Sequence, residues 1–152
     1  MDPDQAAVYL ENAAAYESRL TELDEKYREM VEKAPVHTVL FGDRFPFRYM
    51  TDDYGLDYYA AFAGCSAETE ASFETIAFLA QKVDELSLHT ILTIEGTDHR
   101  VAETIAQSTK SKDQQILAMD SLQSTTAKEA EAGVTYLSVM EQNLAVLEAA
   151  LQ

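Results

Sequence analysis

The sequence predicts an α/β protein in which a long helix precedes a four-stranded parallel sheet with helices on both faces. Short apolar runs alternate with segments of helical periodicity, and this alternation favours a parallel sheet with right-handed crossovers. Three of the runs also end in a carboxylate: Asp43 follows VLFG, Glu95 follows ILTI and Asp120 follows ILAM. The expected strand order is 2-1-3-4, which places its switch point between the first and third strands.

The chain begins with a predicted helix over residues 3–34, in which Asp2 can form the N-cap and Pro3 fits the first turn. Pro35 then ends the helix. A single apolar stripe should pack against the sheet, because its members recur at steps of three and four residues. The stripe consists of Ala13, Tyr16, Leu20, Leu23, Tyr27 and Met30.

The remaining elements follow from short apolar runs and from residues that end or cap helices. Strands are predicted over residues 36–42, 57–62, 89–95 and 115–119, and helices over 45–54, 66–86, 99–108 and 134–151. Residues 120–132 are predicted to form a polar loop, with or without a helical turn. We expect the aromatic residues Phe47, Tyr49 and Tyr54 to face the core. The inward residues of the third helix should be Phe73, Ile76, Leu79, Val83 and Leu86, and those of the last helix Val134, Leu137, Met140, Leu144, Leu147 and Leu151.

The composition limits the possible partners of the chain. Its 152 residues are 47% hydrophobic and 25% charged, which suits one globular domain. The formal net charge of −16 argues against nucleic acid, because phosphates would be repelled, and is compatible with cations. No apolar run is long enough to cross a bilayer and no signal peptide is recognised, so we expect a fragment of a longer protein.

Asp43, Glu95 and Asp120 should meet at the carboxyl edge of the sheet, where they could bind a hard cation. Three carboxylates in one place repel each other unless a cation or an arginine lies among them, and Arg44 is such a partner. The alternative is that each carboxylate only caps the helix after its strand. His99 begins a helix at the same edge and is either a metal ligand or an ordinary turn residue.

Other reactive side chains offer weaker evidence of chemistry. His37 and His89 begin predicted strands, so they should lie at the opposite edge. Cys65 is interpreted as a packed thiol, because no histidine is near it in sequence. The chain contains no GxGxxG, P-loop, HExxH or paired CxxC motif. An enzyme therefore has no motif in its favour.

DPDQAAVYLENAAAYESRL, FPFRYMTDDYGL and three later segments follow one another along nearly the whole chain. Together they resemble the substrate-binding proteins of zinc and manganese ABC transporters, the adhesin lipoprotein family. DPDQAAVYLENAAAYESRL resembles the end of the helix that connects the two lobes in that family, and FPFRYMTDDYGL resembles the segment after the first strand of the C-terminal lobe. The remaining matches are SAETEASFETIAFLAQKV, ILAMDSLQS and GVTYLSVMEQNLAVLEAAL.

The resemblance implies that residues 1–34 belong to the connecting helix and residues 35–152 form the C-terminal lobe, one wall of a metal site between two lobes. It implies capture of Zn²⁺, or alternatively Mn²⁺, with weak binding by this lobe alone. The implied partners are the N-terminal lobe and an ABC permease, not nucleic acid. The implied location is extracytoplasmic, in the periplasm or on the cell surface through a lipid anchor outside this chain.

Asp120 matches the aspartate ligand of the family's C-terminal lobe. Arg44 stands where the family usually has a histidine or glutamate ligand, and arginine cannot bind a cation. Either Asp43 takes that role, or the lobe supplies fewer ligands, or Arg44 meets an anion. Glu95 matches an acidic strand end in the family and is expected to support the ligands or line the cleft, as are Arg44 and His99.

Two alternatives come from other functional classes. One is an Mg²⁺-dependent enzyme with flavodoxin-like topology that acts at the same edge of the sheet. The other is an adhesive surface domain with no metal role.

Overall fold

The computed structural model describes residues 3–62, 64, 71–96 and 98–152. A 3₁₀ turn at Pro3–Gln5 leads into the first helix. The helices are α1 (Ala6–Lys33), α2 (Arg48–Tyr54), α3 (Phe73–Leu86), α4 (Arg100–Ser108), α5 (Ala127–Glu131) and α6 (Tyr136–Ala150), and the strands are β1 (Thr38–Arg44), β2 (Asp57–Phe62), β3 (Thr90–Ile94) and β4 (Gln115–Met119). In the part of the chain that the structure describes, no helix is long and apolar enough to span a membrane.

The four strands form one parallel sheet in the order β2-β1-β3-β4, which confirms the predicted topology. Phe41 pairs with Leu92, and Leu92 pairs with Leu117, so β1, β3 and β4 are in register across the sheet. Their carboxyl ends consequently meet at one edge, which is called the carboxyl edge below.

Two apolar layers cover the two faces of the sheet. On one face, α1, α2 and α6 enclose a cluster that includes Tyr27, Phe41 and Leu147, each of them 1% exposed. On the other face, α3 and α4 cover Leu40 and Ile91. Alternate residues of β1 therefore serve opposite layers, as the two-residue period of a strand requires.

The predicted stripe of α1 is buried only in its second half. Leu23, Tyr27 and Val31 are buried, whereas every residue from Ala6 to Arg19 is exposed. The apolar residues keep the same spacing in the first half of α1, but the rest of the described chain does not cover them there. Asp2, proposed as the cap of this helix, lies outside the described residues, and Gln5 is the residue before α1.

Several predicted boundaries and inward-facing residues were wrong. β1 runs two residues further than expected, so Asp43 and Arg44 lie within the strand and not after it. α2 begins at Arg48 rather than at residue 45, and its Tyr49 is 86% exposed. Tyr49 lies on the solvent side because the helix is only seven residues long and uses Thr51 as its buried residue.

The third predicted helix also begins later than expected. α3 starts at Phe73, because Ser72 is in the extended conformation and its hydroxyl accepts a hydrogen bond from the backbone N–H of Thr75. Phe73 is 81% exposed and Leu86 is 39% exposed, which contradicts their predicted inward orientation. The last helix begins after Thr135, so Val134 precedes it and is exposed. Cys65 and residues 66–70 lie outside the described residues.

Candidate functional site

The three predicted carboxylates lie along the carboxyl edge and are linked through neighbouring backbone. Asp43 Oδ2 accepts a hydrogen bond from the N–H of Ile94 at 3.4 Å, and Ile94 directly precedes Glu95. Glu95 in turn accepts a hydrogen bond from the N–H of Ser121, the residue after Asp120. The three carboxylates therefore lie along one edge, and each has different partners.

Asp43 joins the ends of two neighbouring strands. Its side chain is buried and accepts N–H bonds from Arg44, at 2.7 Å to Oδ1, and from Ile94. A buried carboxylate that receives two backbone donors is well stabilised without any metal. Asp43 consequently fastens β1 to β3 at the edge where the candidate site lies.

Arg44 lies at the last position of β1 with a side chain that is 38% exposed. Its Nε is 3.8 Å from Asp43 Oδ1, too far for a hydrogen bond. No other side-chain partner of Arg44 is found among residues 3–62, 64, 71–96 and 98–152. The terminal nitrogens of the guanidinium are therefore available to a further acceptor.

The position of α4 at this edge depends on Gly42. A Cβ atom at Gly42 would lie 2.6 Å from both Cα and Cβ of Ala102, so only glycine allows α4 to approach β1 this closely. The contact brings His99 and Arg100, at the start of α4, to the carboxyl edge. Sequence reasoning interpreted Gly42 as the end of a strand and missed this packing role.

Glu95 holds the segment that follows β4. Its carboxylate accepts hydrogen bonds from the N–H and hydroxyl of Ser121, at 2.8 and 2.7 Å, and from the hydroxyl of Ser124 at 3.1 Å. Burial opposes ionisation of Glu95, but these bonds outweigh it and hold its pKa below the ordinary value. Glu95 therefore supports this segment, and the two serines are residues that sequence reasoning missed.

Asp120 follows β4 directly, and α6 fixes its backbone. Asn143 is 2% exposed; its Oδ1 accepts from the N–H of Asp120 and its Nδ2 donates to the carbonyl of Asp120, both at 2.8 Å. The Asp120 side chain is half-buried, and its Oδ1 accepts from the N–H of Leu122 at 2.8 Å. Sequence reasoning missed Asn143. Its position as a polar amide within the apolar stripe of α6 was the signal that could have revealed it.

His99 is half-buried and precedes α4 in the left-handed conformation, with φ 55°. It is flanked by Asp98 and Arg100, which form an ion pair, and the Arg100 guanidinium lowers the pKa of the Asp98 carboxyl. His37 and His89 lie at the opposite edge as expected, where their carbonyls accept from the N–H groups that start β2 and β4.

Within the described ranges, no group of three or more His, Cys, Asp or Glu side chains is arranged to hold a metal ion. Asp43, Glu95 and Asp120 thus share an edge without converging on one point. A tight cation site at this edge would need ligands from outside the described residues.

The chain matches the family model for ZnuA, the periplasmic component A of a zinc-uptake complex, over residues 1–150. It is 31% identical over 146 residues to the zinc-binding lipoprotein AdcA of Streptococcus pneumoniae strain R6, covering 96% of this chain and 28% of AdcA. It is 29% identical over 150 residues to the high-affinity zinc uptake system protein ZnuA of Bacillus subtilis strain 168, covering 99% and 46%.

Among solved structures, the chain is similar to the Zn(II)-bound ZnuA-like domain of S. pneumoniae AdcA. The TM-score is 0.75 and the identity 29%, and the match covers 98% of this chain and 54% of the other. The chain therefore spans less than half the length of the two curated relatives and about half of the solved domain.

Proposed function

The chain belongs to the ZnuA family of zinc-uptake components, and we propose that it is the C-terminal lobe of a receptor that captures zinc for an ABC permease. Membership confirms the resemblance drawn from the sequence. A zinc-uptake component binds and delivers an ion rather than converting a substrate, so the enzyme alternative is set aside. The receptor would work outside the cytoplasm, with residues 1–34 as part of the helix between its lobes.

The environment of Asp120 is the observation that carries this proposal. Asn143 holds its backbone, and the single bond from Leu122 occupies only one carboxylate oxygen. Among the described residues, Oδ2 has no hydrogen-bond partner. A rigidly placed carboxylate with a free oxygen at a sheet edge is suited to bind a divalent cation.

Asp43 would be the second ligand of this lobe, through lone pairs that its two N–H bonds leave free, with Glu95 and His99 supporting the site. Two carboxylates alone bind zinc weakly, because Zn²⁺ prefers four ligands that include nitrogen or sulfur. We therefore expect the other lobe to supply the remaining ligands. Carboxylate oxygens also suit Mn²⁺, which is the alternative cargo.

Isothermal titration of Zn²⁺ and Mn²⁺ tests the proposal. The 152-residue chain and the product of its whole gene would be titrated, each in native form and with Asp120→Ala. Asp113→Ala is the matched control, because Asp113 is an exposed carboxylate in the turn before β4, at the opposite edge of the sheet.

In both proteins we expect Asp120→Ala to lower the zinc affinity by about tenfold or more, because one direct ligand is lost. Asp113→Ala should leave the zinc affinity of both unchanged. Tight binding by the chain that survives Asp120→Ala would refute the site. If replacing Asp43, Glu95 and Asp120 together left zinc binding unchanged, an adhesive domain without a metal role would be the better interpretation.

A further inference from the structure

Arg44 is the feature of the carboxyl edge that the proposed function does not explain. Its Nε lies 3.8 Å from Oδ1 of Asp43, the carboxylate proposed as the second ligand of this lobe, and Glu95 and Asp120 follow the next two strands along the same edge. A positive charge beside a proposed ligand opposes binding of a bare divalent ion. The same charge favours a ligand that brings an anion with it.

The arginines at the starts of α2 and α4 already have partners. Arg48 Nε is 3.5 Å from Asp52 one turn later in α2, and Arg100 pairs with Asp98. Both are largely exposed, with side-chain exposures of 69% and 83%. Arg44 differs, because it lies on a sheet strand, is more buried and has no close acceptor for its terminal nitrogens in the described ranges.

Neutralising Asp43 is not a sufficient role for Arg44. Asp43 already accepts hydrogen bonds from two backbone N–H groups, those of Arg44 and Ile94. The bond from the backbone of residue 44 would form with any non-proline side chain at that position. The contact between the two side chains is 3.8 Å long, beyond hydrogen-bonding range. Within the described ranges the guanidinium thus keeps its planar pair of donors free, and this geometry matches a carboxylate.

We propose that this edge takes its divalent cation together with a small carboxylate chelator, with Asp120 on the cation and the Arg44 guanidinium on a carboxylate of the chelator. This inference rests on the proposed function and narrows its substrate to an anionic metal chelate. The chelator would supply oxygen ligands that the lobe lacks, and Arg44 would select for its negative charge.

Equilibrium dialysis with radiolabelled zinc and radiolabelled citrate tests this directly, with citrate as the probe chelator. The 152-residue chain would be dialysed against zinc alone, citrate alone and an equimolar mixture. The same measurements would be made on Arg44→Gln and on Arg19→Gln. Arg19 lies in the exposed half of α1 and is therefore the matched control for losing one positive charge.

We expect the native chain and Arg19→Gln to retain both labels in equal amounts from the mixture, and to retain citrate only when zinc is present. Arg44→Gln should weaken retention of the zinc–citrate mixture by about tenfold, roughly the contribution of one charge-assisted hydrogen bond, without weakening retention of zinc alone. Circular dichroism would confirm that each variant is folded.

Three results would overturn the inference. If citrate removed zinc equally from the native chain and from Arg44→Gln, Arg44 would not recognise the chelator, although the proposed zinc function would stand. Retention of citrate without zinc would show a simple anion site. Failure of the 152-residue chain to retain zinc–citrate would remove the inference, whereas the zinc titration of the whole gene product decides the proposed function.

Discussion

Asn143 binds the backbone of Asp120 on both sides, accepting from its N–H and donating to its carbonyl, each at 2.8 Å. The two residues are 23 positions apart, and the contact joins α6 to the end of β4. Both polar atoms of the buried amide are thereby satisfied, as a buried side chain requires. The location of the candidate ligand is therefore determined by the final helix as well as by its own strand.

Asn143→Asp should lower the free energy of unfolding by about 3 kcal/mol. The new carboxylate cannot donate to the carbonyl of Asp120, and it buries a negative charge near another one. Urea denaturation followed by circular dichroism measures the effect. Gln142→Glu, on the exposed side of the same helix, makes the same chemical change and should stay within about 0.5 kcal/mol of the native chain. Equal effects in both variants would contradict the role given to Asn143.

Gly42→Ala should lower the free energy of unfolding by about 2 to 3 kcal/mol, because the added methyl group meets Ala102 at 2.6 Å. Since the Cα of Ala102 is as close as its Cβ, adding Ala102→Gly should restore little. Gly55→Ala is the comparison, because its Cβ would have free space and only the positive φ of 68° opposes it, at about 1 kcal/mol. Thermal unfolding should rank Gly42→Ala as the more damaging change.

Glu95→Gln should destabilise the chain by about 1 to 2 kcal/mol near neutral pH, since the Ser121 and Ser124 donors lose a charged acceptor. The native state lowers the pKa of Glu95 below its ordinary value of 4.5. The stabilisation is therefore complete above the unfolded-state pKa and is lost as the pH falls through the lower folded-state pKa. Urea titrations at several pH values should show the two chains converging below pH 4.5, and a constant difference would disprove the assignment.

Tyr27→Phe should cost more stability than Tyr54→Phe, although the two rings stack with centroids 5.1 Å apart. The Tyr27 hydroxyl is buried and donates to the carbonyl of Met140 at 2.7 Å, whereas that of Tyr54 donates to the partly exposed Asp24. We expect losses of about 1.5 and 0.5 kcal/mol in urea denaturation, because water replaces only the second bond. The reverse order would show that the bond from Tyr54 to Asp24 contributes more to the attachment of α1 than the bond from Tyr27 to Met140.

The topology of the sheet could be predicted because it depends on local patterns. The runs of β2 and β4 are bounded by turn residues, and both strands have the predicted limits, Asp57–Phe62 and Gln115–Met119. Errors arose where packing overrides local signals. Gly42 looks like the end of a strand, yet β1 continues through it because α4 packs against it there.

Helix faces were predicted less well than strands. Phe73 is apolar and in phase with Leu79 and Val83, but it lies in the first turn of α3 and is exposed to solvent. Periodicity identifies the apolar side of a helix and cannot tell how far along that side a neighbour reaches. The exposed first half of α1 has the same explanation within the described chain.

The amino-acid sequence by itself determined the family, the parallel sheet and the edge along which Asp43, Glu95 and Asp120 lie, because alternating strands and helices constrain where strands end. Only the tertiary structure decided what each carboxylate does. Asp43 joins two strands, Glu95 holds Ser121, and one carboxylate oxygen of Asp120 has no hydrogen-bond partner among the described residues. These contacts join residues up to 51 positions apart, and their geometry depends on how the helices pack on the sheet, which no local pattern encodes.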